Sequence, residues 1–142
     1  MEEQKRQHLE FIQRVITRMN TNSFQIKGMA VTIVSALIAI YATTTNIAFI
    51  FLGIVPTLLF WFLDSYYLQQ ERKFRGVYNN VAGIEHNVEI KLYDMPIKEF
   101  KGWDYSFLKA FIFGTIAWLY GAIVFLLLAG GFILKFKGCS II

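Results

Sequence analysis

Cysteine, proline and charge are all scarce in this chain, and two long stretches contain no charged residue at all. The single cysteine, Cys139, cannot form a disulfide within the chain, so cysteine usage does not indicate a redox compartment. Charged residues are absent from 28–63 and from 110–134. In a chain of 142 residues, too few residues remain to cover such long apolar segments in a soluble fold. The pattern therefore argues against a buried helical bundle, the alternative explanation of these segments.

Catalytic and metal-binding motifs are also absent from the sequence. It contains no GxSxG, HExxH or P-loop pattern and no paired carboxylates inside an apolar segment. His8 and His86 lie in different segments, and neither has a companion at metal-ligand spacing. We therefore expect no catalytic residue, no metal site and no cofactor. A membrane-embedded enzyme is the least favoured class of function.

The apolar residues are concentrated in three segments. Hydrophobic residues make up 56% of the chain, against about 45–50% in soluble domains. A bilayer core of about 30 Å requires about 20 apolar residues in a helix. The 25 residues of 110–134 meet this length alone, and residues 28–63 divide into two shorter runs at the polar turn 43–46. The sequence thus predicts a transmembrane hairpin over 23–63 and a third transmembrane helix over 110–134.

Lysine and arginine are unevenly distributed around these segments, and this asymmetry predicts the orientation. Five of them precede the first segment, seven lie between the second and the third, and none lies in the turn of the hairpin. Because cytoplasmic flanks are enriched in Lys and Arg, we expect the N-terminus and residues 64–109 to face the cytoplasm, with the chain in the inner membrane. Three crossings then place the tail, 135–142, outside. A re-entrant third segment would return it to the cytoplasm.

Outside the apolar segments the chain is predicted to be mostly helical. Leu9, Ile12, Ile16 and Met19 recur at helical spacing, which predicts a cytoplasmic amphipathic helix over 1–22. The polar residues 20–23 are typical of a helix break and an N-cap before the first span. The second span is expected to continue as a helix to Val81, antiparallel to the N-terminal helix. Residues 83–109 are less regular, and the alternation over 88–92 suits a short strand.

The predicted fold class is an all-α integral membrane protein. It begins with the N-terminal amphipathic helix, continues through a two-span hairpin with a cytoplasmic helix extension, and ends with a third span. Residues 64–109 form the cytoplasmic helix and irregular segment between the second and third spans.

Small residues at helical spacing predict where the spans pack. Helix association in lipid depends on close contact, so small side chains mark helix interfaces. Two rows of small residues, which we call seams, occur in the spans. We expect at least one seam to join spans of the same chain, and whether the other forms a subunit interface is left open. Pro56 removes one backbone hydrogen bond in the second span and predicts either a tolerated kink or a hinge. The two seams are Gly28, Thr32, Ser35 and Ala39 in the first span, and Ala110, Gly114, Ala117 and Gly121 in the third.

Asp64 is the most suggestive acidic residue, because it lies where the second span meets the cytoplasm. One interpretation is structural, with the carboxylate just outside the hydrocarbon and paired with a nearby Lys or Arg. The functional interpretation is an acidic ring at the pore mouth of an oligomer, which would favour cations.

A basic cluster follows on the extension of the second span, formed by Arg72, Lys73 and Arg75. Arg72 is about 12 Å beyond Asp64 along a helix, whereas attraction to anionic lipid fades within a Debye length of about 8 Å. The cluster either sets topology by lipid contact or binds a phosphate-bearing ligand, with Tyr78 or His86 stacking on a base. Seven acids balance seven bases over 64–109, so general nucleic-acid binding is not expected.

The residues of this region also carry a resemblance. The stretch 22–24, NSF, leads into an apolar span, and residues 60–75 read FWFLDSYYLQQERKFR. This arrangement resembles a group of small bacterial three-span membrane proteins in which a span hairpin ends in an LDxYxLxxERxFR-like helix. In size and layout the chain is similar to the SLATT-type membrane effectors of nucleotide-linked anti-phage systems, which include Hailong-type channel effectors. The second likeness implies an oligomer that permeabilises the bacterial inner membrane under control of a nucleotide signal.

Two functions from different classes follow. The first is an oligomeric, channel-like effector in anti-phage defence, whose cytoplasmic part senses a nucleotide second messenger or a signalling-enzyme partner. The second is a non-conducting membrane anchor or accessory subunit that docks a cytoplasmic partner through its two antiparallel cytoplasmic helices. Membrane lipid and further copies of the chain are the expected partners in the first case.

Overall fold

The computed structural model describes residues 2–139, which are helical apart from turns and one irregular segment. Within this range, three stretches are long and apolar enough to cross a membrane, namely Glu2–Thr44, Ala48–Ala82 and Thr115–Lys137. The prediction of an all-helical chain with three candidate spans is thereby confirmed. The helices are α1 (Glu2–Thr44), α2 (Ala48–Leu52), α3 (Ile54–Ala82), α4 (Phe107–Phe113) and α5 (Thr115–Cys139), with a 3-10 turn at Trp103–Tyr105 before α4.

Helix α1 is continuous, and the predicted break at residues 20–23 is wrong. The polar side chains there do not cap a new helix. Thr21 Oγ1 donates a hydrogen bond to the carbonyl of Thr17 at 3.0 Å, and the Ser23 hydroxyl donates to the carboxylate of Asp64 on α3. Serine and threonine stay inside a helix when their hydroxyls find such partners. The 43 residues of α1 therefore form one rod about 65 Å long at 1.5 Å per residue.

Helices α1 and α3 pack antiparallel along their length. Residues near the N-terminus of α1 contact residues near the C-terminus of α3, and Lys27, further along α1, pairs with Asp64, nearer the start of α3. Residues 2–22 of α1 and 65–82 of α3 form the part that we call the stalk. Its core contains Ile12, Ile16 and Val77, which are joined by Phe100 from the irregular segment. Two further core clusters lie among the candidate spans. They are formed by Ala30, Ile116 and Tyr120, and by Val34, Ile50 and Leu127.

The second candidate span is interrupted at Gly53, between α2 and α3. Pro56 lacks a backbone N–H, so the carbonyl of Leu52 has no donor four residues later, and α2 ends at that residue. Gly53 keeps helical backbone angles, with φ −63° and ψ −19°, so the chain continues as a helix. Helix α3 then passes Asp64 and ends where Gly83 takes the left-handed conformation at φ 82°. The extension of the second span reaches Ala82, close to the predicted end.

Residues 83–102 form the irregular segment, and they contain no strand, so the strand predicted over 88–92 is wrong. Val88 and Ile90 do pack onto the stalk core, while Glu89 between them is exposed. The alternation thus reflects burial on one side, but no neighbouring strand in the described chain offers a hydrogen-bonded ladder. His8 of α1 anchors the segment, because its Nε2 lies 3.1 Å from the Asp94 carbonyl and its side chain is buried.

The third apolar segment forms two helices in place of the single helix predicted over 110–134. Gly114 separates α4 from α5 with an extended backbone at φ −83° and ψ 159°. A side chain at this position would not fit, since a Cβ would lie 2.8 Å from the Ala110 carbonyl oxygen and 3.1 Å from Leu68 Cδ2. Helix α5 continues to Cys139, so the predicted tail begins as helix, and its last three residues, 140–142, lie outside the described residues.

Candidate functional site

Asp64 forms a buried ion pair between α1 and α3. Its side chain is fully buried, and the Lys27 ammonium lies 2.8 Å from Oδ2. Lys27 also donates a hydrogen bond of 2.6 Å to the Ser23 hydroxyl, which in turn donates to Asp64 Oδ1. The three side chains therefore form a closed polar cluster, which we call the Asp64 cluster. The structure agrees with the paired interpretation of Asp64.

The pore-mouth role of Asp64 remains a prediction. In this conformation the carboxylate faces α1 inside the chain, because 0% of the side chain is exposed. A buried charge in a low-dielectric site is tolerated only when it is paired and hydrogen-bonded. Exposure of Asp64 to a pore between subunits would require Lys27 and Ser23 to move away from it.

Tyr120 of α5 lies beside the Asp64 cluster, whose own residues come from α1 and α3. It is fully buried, its hydroxyl has no hydrogen-bond partner, and it lies close enough to interact with the Asp64 carboxylate. Trp61 stacks beside it, with ring centroids 6.3 Å apart and planes 11° apart, and donates its indole N–H to the Phe111 carbonyl at 3.1 Å. All three candidate spans thus contribute to one point near their predicted cytoplasmic ends.

Sequence reasoning did not identify Lys27, Ser23 or Tyr120 as partners of Asp64. One clue was present, because Lys27 immediately precedes and Asp64 immediately follows the charge-free residues 28–63. A hairpin over those residues brings its two ends together, so opposite charges at the ends are expected to pair. No comparable clue pointed to Tyr120, which is one of seven tyrosines.

A basic groove lies beside the Asp64 cluster and consists of two adjoining cavities that share Arg72 and Arg75. The membrane-side cavity has a volume of about 380 Å³, and the stalk-side cavity about 350 Å³. Lys27 lines the first and Lys109 lines the second. The other lining residues of the membrane-side cavity are Asn20, Ser23, Leu68, Glu71, Thr115 and Ile116. Those of the stalk-side cavity are Gly76, Asn79, Asp104 and Tyr105.

Arg72 is the central residue of the groove. Its Nη1 is buried and has no hydrogen-bond partner, which is an unfavourable state for a guanidinium nitrogen. Arg75 is bound through Nε to Glu71 Oε1 at 2.6 Å, and its side chain is 62% exposed. Arginine binds carboxylates and phosphates through a fork of N–H donors, so an anion in the groove would satisfy the free nitrogen of Arg72.

The other predicted ligand-binding residues do not join this groove. Lys73 lines neither of its cavities. Tyr78 packs against the stalk core, so its ring is not free to stack on a base. His86 is exposed on the irregular segment. Of the five predicted residues, the structure brings together Arg72 and Arg75 and adds Lys27 and Lys109, which the sequence did not indicate.

Lys109 and Asp104 form an ion pair at the stalk-side end of the groove. The hydrogen bond and the charge of the Lys109 ammonium lower the pKa of Asp104 below its usual value, with a further contribution from Arg72. The pKa of Tyr105 is raised, mainly by burial and also by the charges of Glu85 and Asp104. The two acidic residues that line the groove, Glu71 and Asp104, are each paired with a base, and four basic residues line the groove in all, so its wall carries a net positive charge.

The two small-residue seams differ in what they contact. Gly28, Thr32, Ser35 and Ala39 are all exposed, and a Cβ on Gly28 would meet no atom within 4 Å. Ala110 and Gly114 of the second seam are buried inside the chain, while Ala117 is half-buried and Gly121 has open space beside it. The first seam thus lies on the outer surface of the helix bundle.

Comparisons with protein-family models, with curated proteins and with solved structures give no match for this chain. Among residues 2–139, no group of three or more His, Cys, Asp or Glu side chains is placed to hold a metal ion.

Proposed function

We propose that this chain is the protomer of an oligomeric, channel-like membrane effector, controlled by a phosphate-bearing ligand in the basic groove. The observation that carries the proposal is the buried, unpartnered Nη1 of Arg72 on the wall shared by two cavities. Phosphate oxygens are suited to such a nitrogen because they accept charge-assisted hydrogen bonds. A nucleotide is the ligand that the resemblance to anti-phage effectors implies.

The continuity of the helices supports control of the spans from this groove. Helix α1 supplies Lys27 to the groove, and helix α3 supplies Arg72 and Arg75. Both helices run without a break from the stalk into the candidate spans, so a shift of either at the groove is carried along the rod. The Lys and Arg distribution favours a position of the groove on the cytoplasmic side of a bacterial inner membrane.

The exposed first seam supports assembly of several copies. Small side chains let helix backbones approach closely in lipid, and this seam has no partner helix within the described chain. Thr32 Oγ1 is bound to the Gly28 carbonyl at 2.8 Å, so its hydroxyl is satisfied without a partner. A second copy packed on the seam would bring the α1 helices close to a common axis.

One observation favours the alternative, a non-conducting anchor that docks a cytoplasmic partner. The stalk carries an open cavity of about 500 Å³ lined by Phe11 and Tyr93 together with polar residues. Phe11 is 55% exposed and Tyr93 54% exposed. Exposed aromatic side chains with a polar rim are typical of protein-binding surfaces.

Flux through liposomes containing the purified protein tests the first proposal. We expect ion flux that changes on addition of a nucleotide, and a stable oligomer in mild detergent. The double variant Arg72→Glu and Arg75→Glu is expected to insert and assemble normally and to lose the nucleotide response. Lys73→Glu is the matched control on the same helix, since Lys73 lines neither cavity of the groove. Absence of flux under every condition, or an unchanged response in the double variant, would leave the anchor as the better explanation.

A further inference from the structure

We infer that Lys27 transmits ligand binding to the spans by exchanging partners. In this exchange the ligand phosphate takes the Lys27 ammonium away from Asp64, and the Tyr120 hydroxyl replaces it as a hydrogen-bond donor to Asp64. The inference rests on the proposed ligand site and assigns to that site its means of regulation.

Lys27 belongs both to the Asp64 cluster and to the basic groove. Its ammonium contacts Asp64 at 2.8 Å, while its side chain is 30% exposed and lines the membrane-side cavity. A lysine ammonium has three donors on a flexible four-carbon stem. The ammonium can therefore turn from Asp64 towards an anion in the cavity by side-chain rotation, without movement of the α1 backbone.

Asp64 and Tyr120 are both incompletely satisfied in the present arrangement. Asp64 Oδ2 has no hydrogen bond of normal geometry although the Lys27 ammonium is near, and the Tyr120 hydroxyl has no partner. Tyr120 stacks on Trp61, and Asp64 follows Trp61 by three residues on the same side of helix α3, so the Tyr120 hydroxyl lies beside the Asp64 carboxylate. Buried polar groups without partners are unfavourable, so a hydrogen bond from the Tyr120 O–H to Oδ2 would satisfy both of them when Lys27 leaves.

The exchange changes which helices are linked. Lys27 lies on α1, Asp64 on α3 and Tyr120 on α5. In the present state α3 is linked to α1 by the ion pair and by the hydrogen bond from Ser23 to Asp64. After the exchange the ion pair is lost, the Ser23 hydrogen bond remains, and a new hydrogen bond links α3 to α5. A ligand shifts a conformational equilibrium only by binding one state more tightly, and here the free Lys27 ammonium supplies that extra binding.

Trp61 provides a local optical probe of the exchange, because its ring stacks beside Tyr120. The other two tryptophans, Trp103 and Trp118, are 58% and 84% exposed, so phenylalanine can replace both in a background with Trp61 alone. In lipid nanodiscs of neutral phosphatidylcholine, we expect ATP to cause a saturable change in Trp61 emission. Inorganic phosphate serves as the simplest probe of the same chemistry.

Tyr120→Phe in that background is the decisive variant. It removes only a hydroxyl that has no partner, so we expect thermal stability to be equal or slightly higher. ATP should bind to this variant with an affinity within about twofold of that of the parent. The Trp61 emission change and the flux response should fall at least about tenfold, because the exchanged state loses one hydrogen bond to a charged group. Tyr41→Phe is the control and should respond normally, because Tyr41 lies near the C-terminal end of α1 and lines neither cavity of the groove.

The outcomes separate this inference from the proposed function. Binding of ATP with a full Trp61 and flux response in Tyr120→Phe would overturn the exchange and leave the ligand site in place. Absence of any response of the parent protein to ATP or phosphate would overturn both. Anionic phosphatidylglycerol carries the same phosphate chemistry on a lipid headgroup. If nanodiscs containing it produce the Trp61 change without ATP, and Tyr120→Phe abolishes that change, the exchange stands with lipid as its ligand.

Discussion

Replacement of Lys27 by methionine would leave the Asp64 carboxylate buried with only the neutral hydroxyls of Ser23 and Tyr120 beside it, and with no positive charge to pair with it. The side chain of Asp64 is 0% exposed, and the Lys27 ammonium is 2.8 Å away. Removal of one partner from a buried ion pair costs about 3–5 kcal/mol, because the other charge stays buried without compensation. Against a total unfolding free energy of about 5–15 kcal/mol, Lys27→Met is expected to remove a large part of the stability.

Replacement of both partners should behave differently. In the double variant Lys27→Met and Asp64→Leu no buried charge remains, and such exchanges for apolar residues are often neutral or stabilising. The double variant is therefore expected to be more stable than Lys27→Met, with a coupling free energy of about 3 kcal/mol for residues in direct contact. The loss in the single variant should persist at about 1 M salt, because buried pairs are screened much less than exposed ones.

The free energy of unfolding can be measured by titration with a denaturing detergent in mixed micelles, with tryptophan emission as the readout. Lys73→Met is the matched control, because Lys73 makes no ion pair within the described residues. A loss in Lys27→Met no larger than about 1 kcal/mol, the value typical of an exposed pair, would refute this reasoning. So would simple additivity of the two single substitutions.

Three further predictions concern topology, packing and pH. Single cysteines placed at Thr44 and at Glu85 in a cysteine-free background should react oppositely with an impermeant thiol reagent on intact cells, with only position 44 labelled; labelling of both would contradict the proposed orientation. Gly114→Leu should lower the free energy of unfolding by about 1–3 kcal/mol through overpacking. Ala39→Leu lies on the exposed seam, so it should leave the fold intact and weaken only assembly in mild detergent. Equal effects of the two variants on folding would be inconsistent with the structure. The Lys109 ammonium lowers the pKa of Asp104, so the stability that this ion pair contributes should be complete above the pKa of a free aspartate and decline as the pH falls below that value. In an acid titration followed by NMR, the Asp104 carboxyl should become protonated at a lower pH than a free aspartate. Protonation at a higher pH than a free aspartate would contradict the ion pair.

The helical class and the number of candidate spans were predictable because they depend on local composition. A helix is the structure in which one apolar segment satisfies all its own backbone hydrogen bonds within a bilayer, and the charge-free residues 28–63 and 110–134 are long enough to form such helices. The spacing of Ile12 and Ile16 similarly identified the buried face of the stalk helix. Periodicity reports which side of an element is buried, so the alternation at Val88 and Ile90 correctly indicated one-sided burial and wrongly suggested a strand.

Tertiary contacts decided the features that sequence reasoning missed. An N-cap contributes only about 1 kcal/mol, so the preference of residues 20–23 for a helix start is outweighed when Ser23 binds Asp64, 41 positions away. The interruption at Gly114 depends on how closely Leu68 approaches it. Lys27, Asp64 and Tyr120 meet only because α1, α3 and α5 pack in one register, and a register is a property of the whole helix bundle. The sequence by itself determined which segments are apolar helices and which ends are basic. The packing of those helices decided which charges are paired, and it left one guanidinium nitrogen, that of Arg72, buried without a partner.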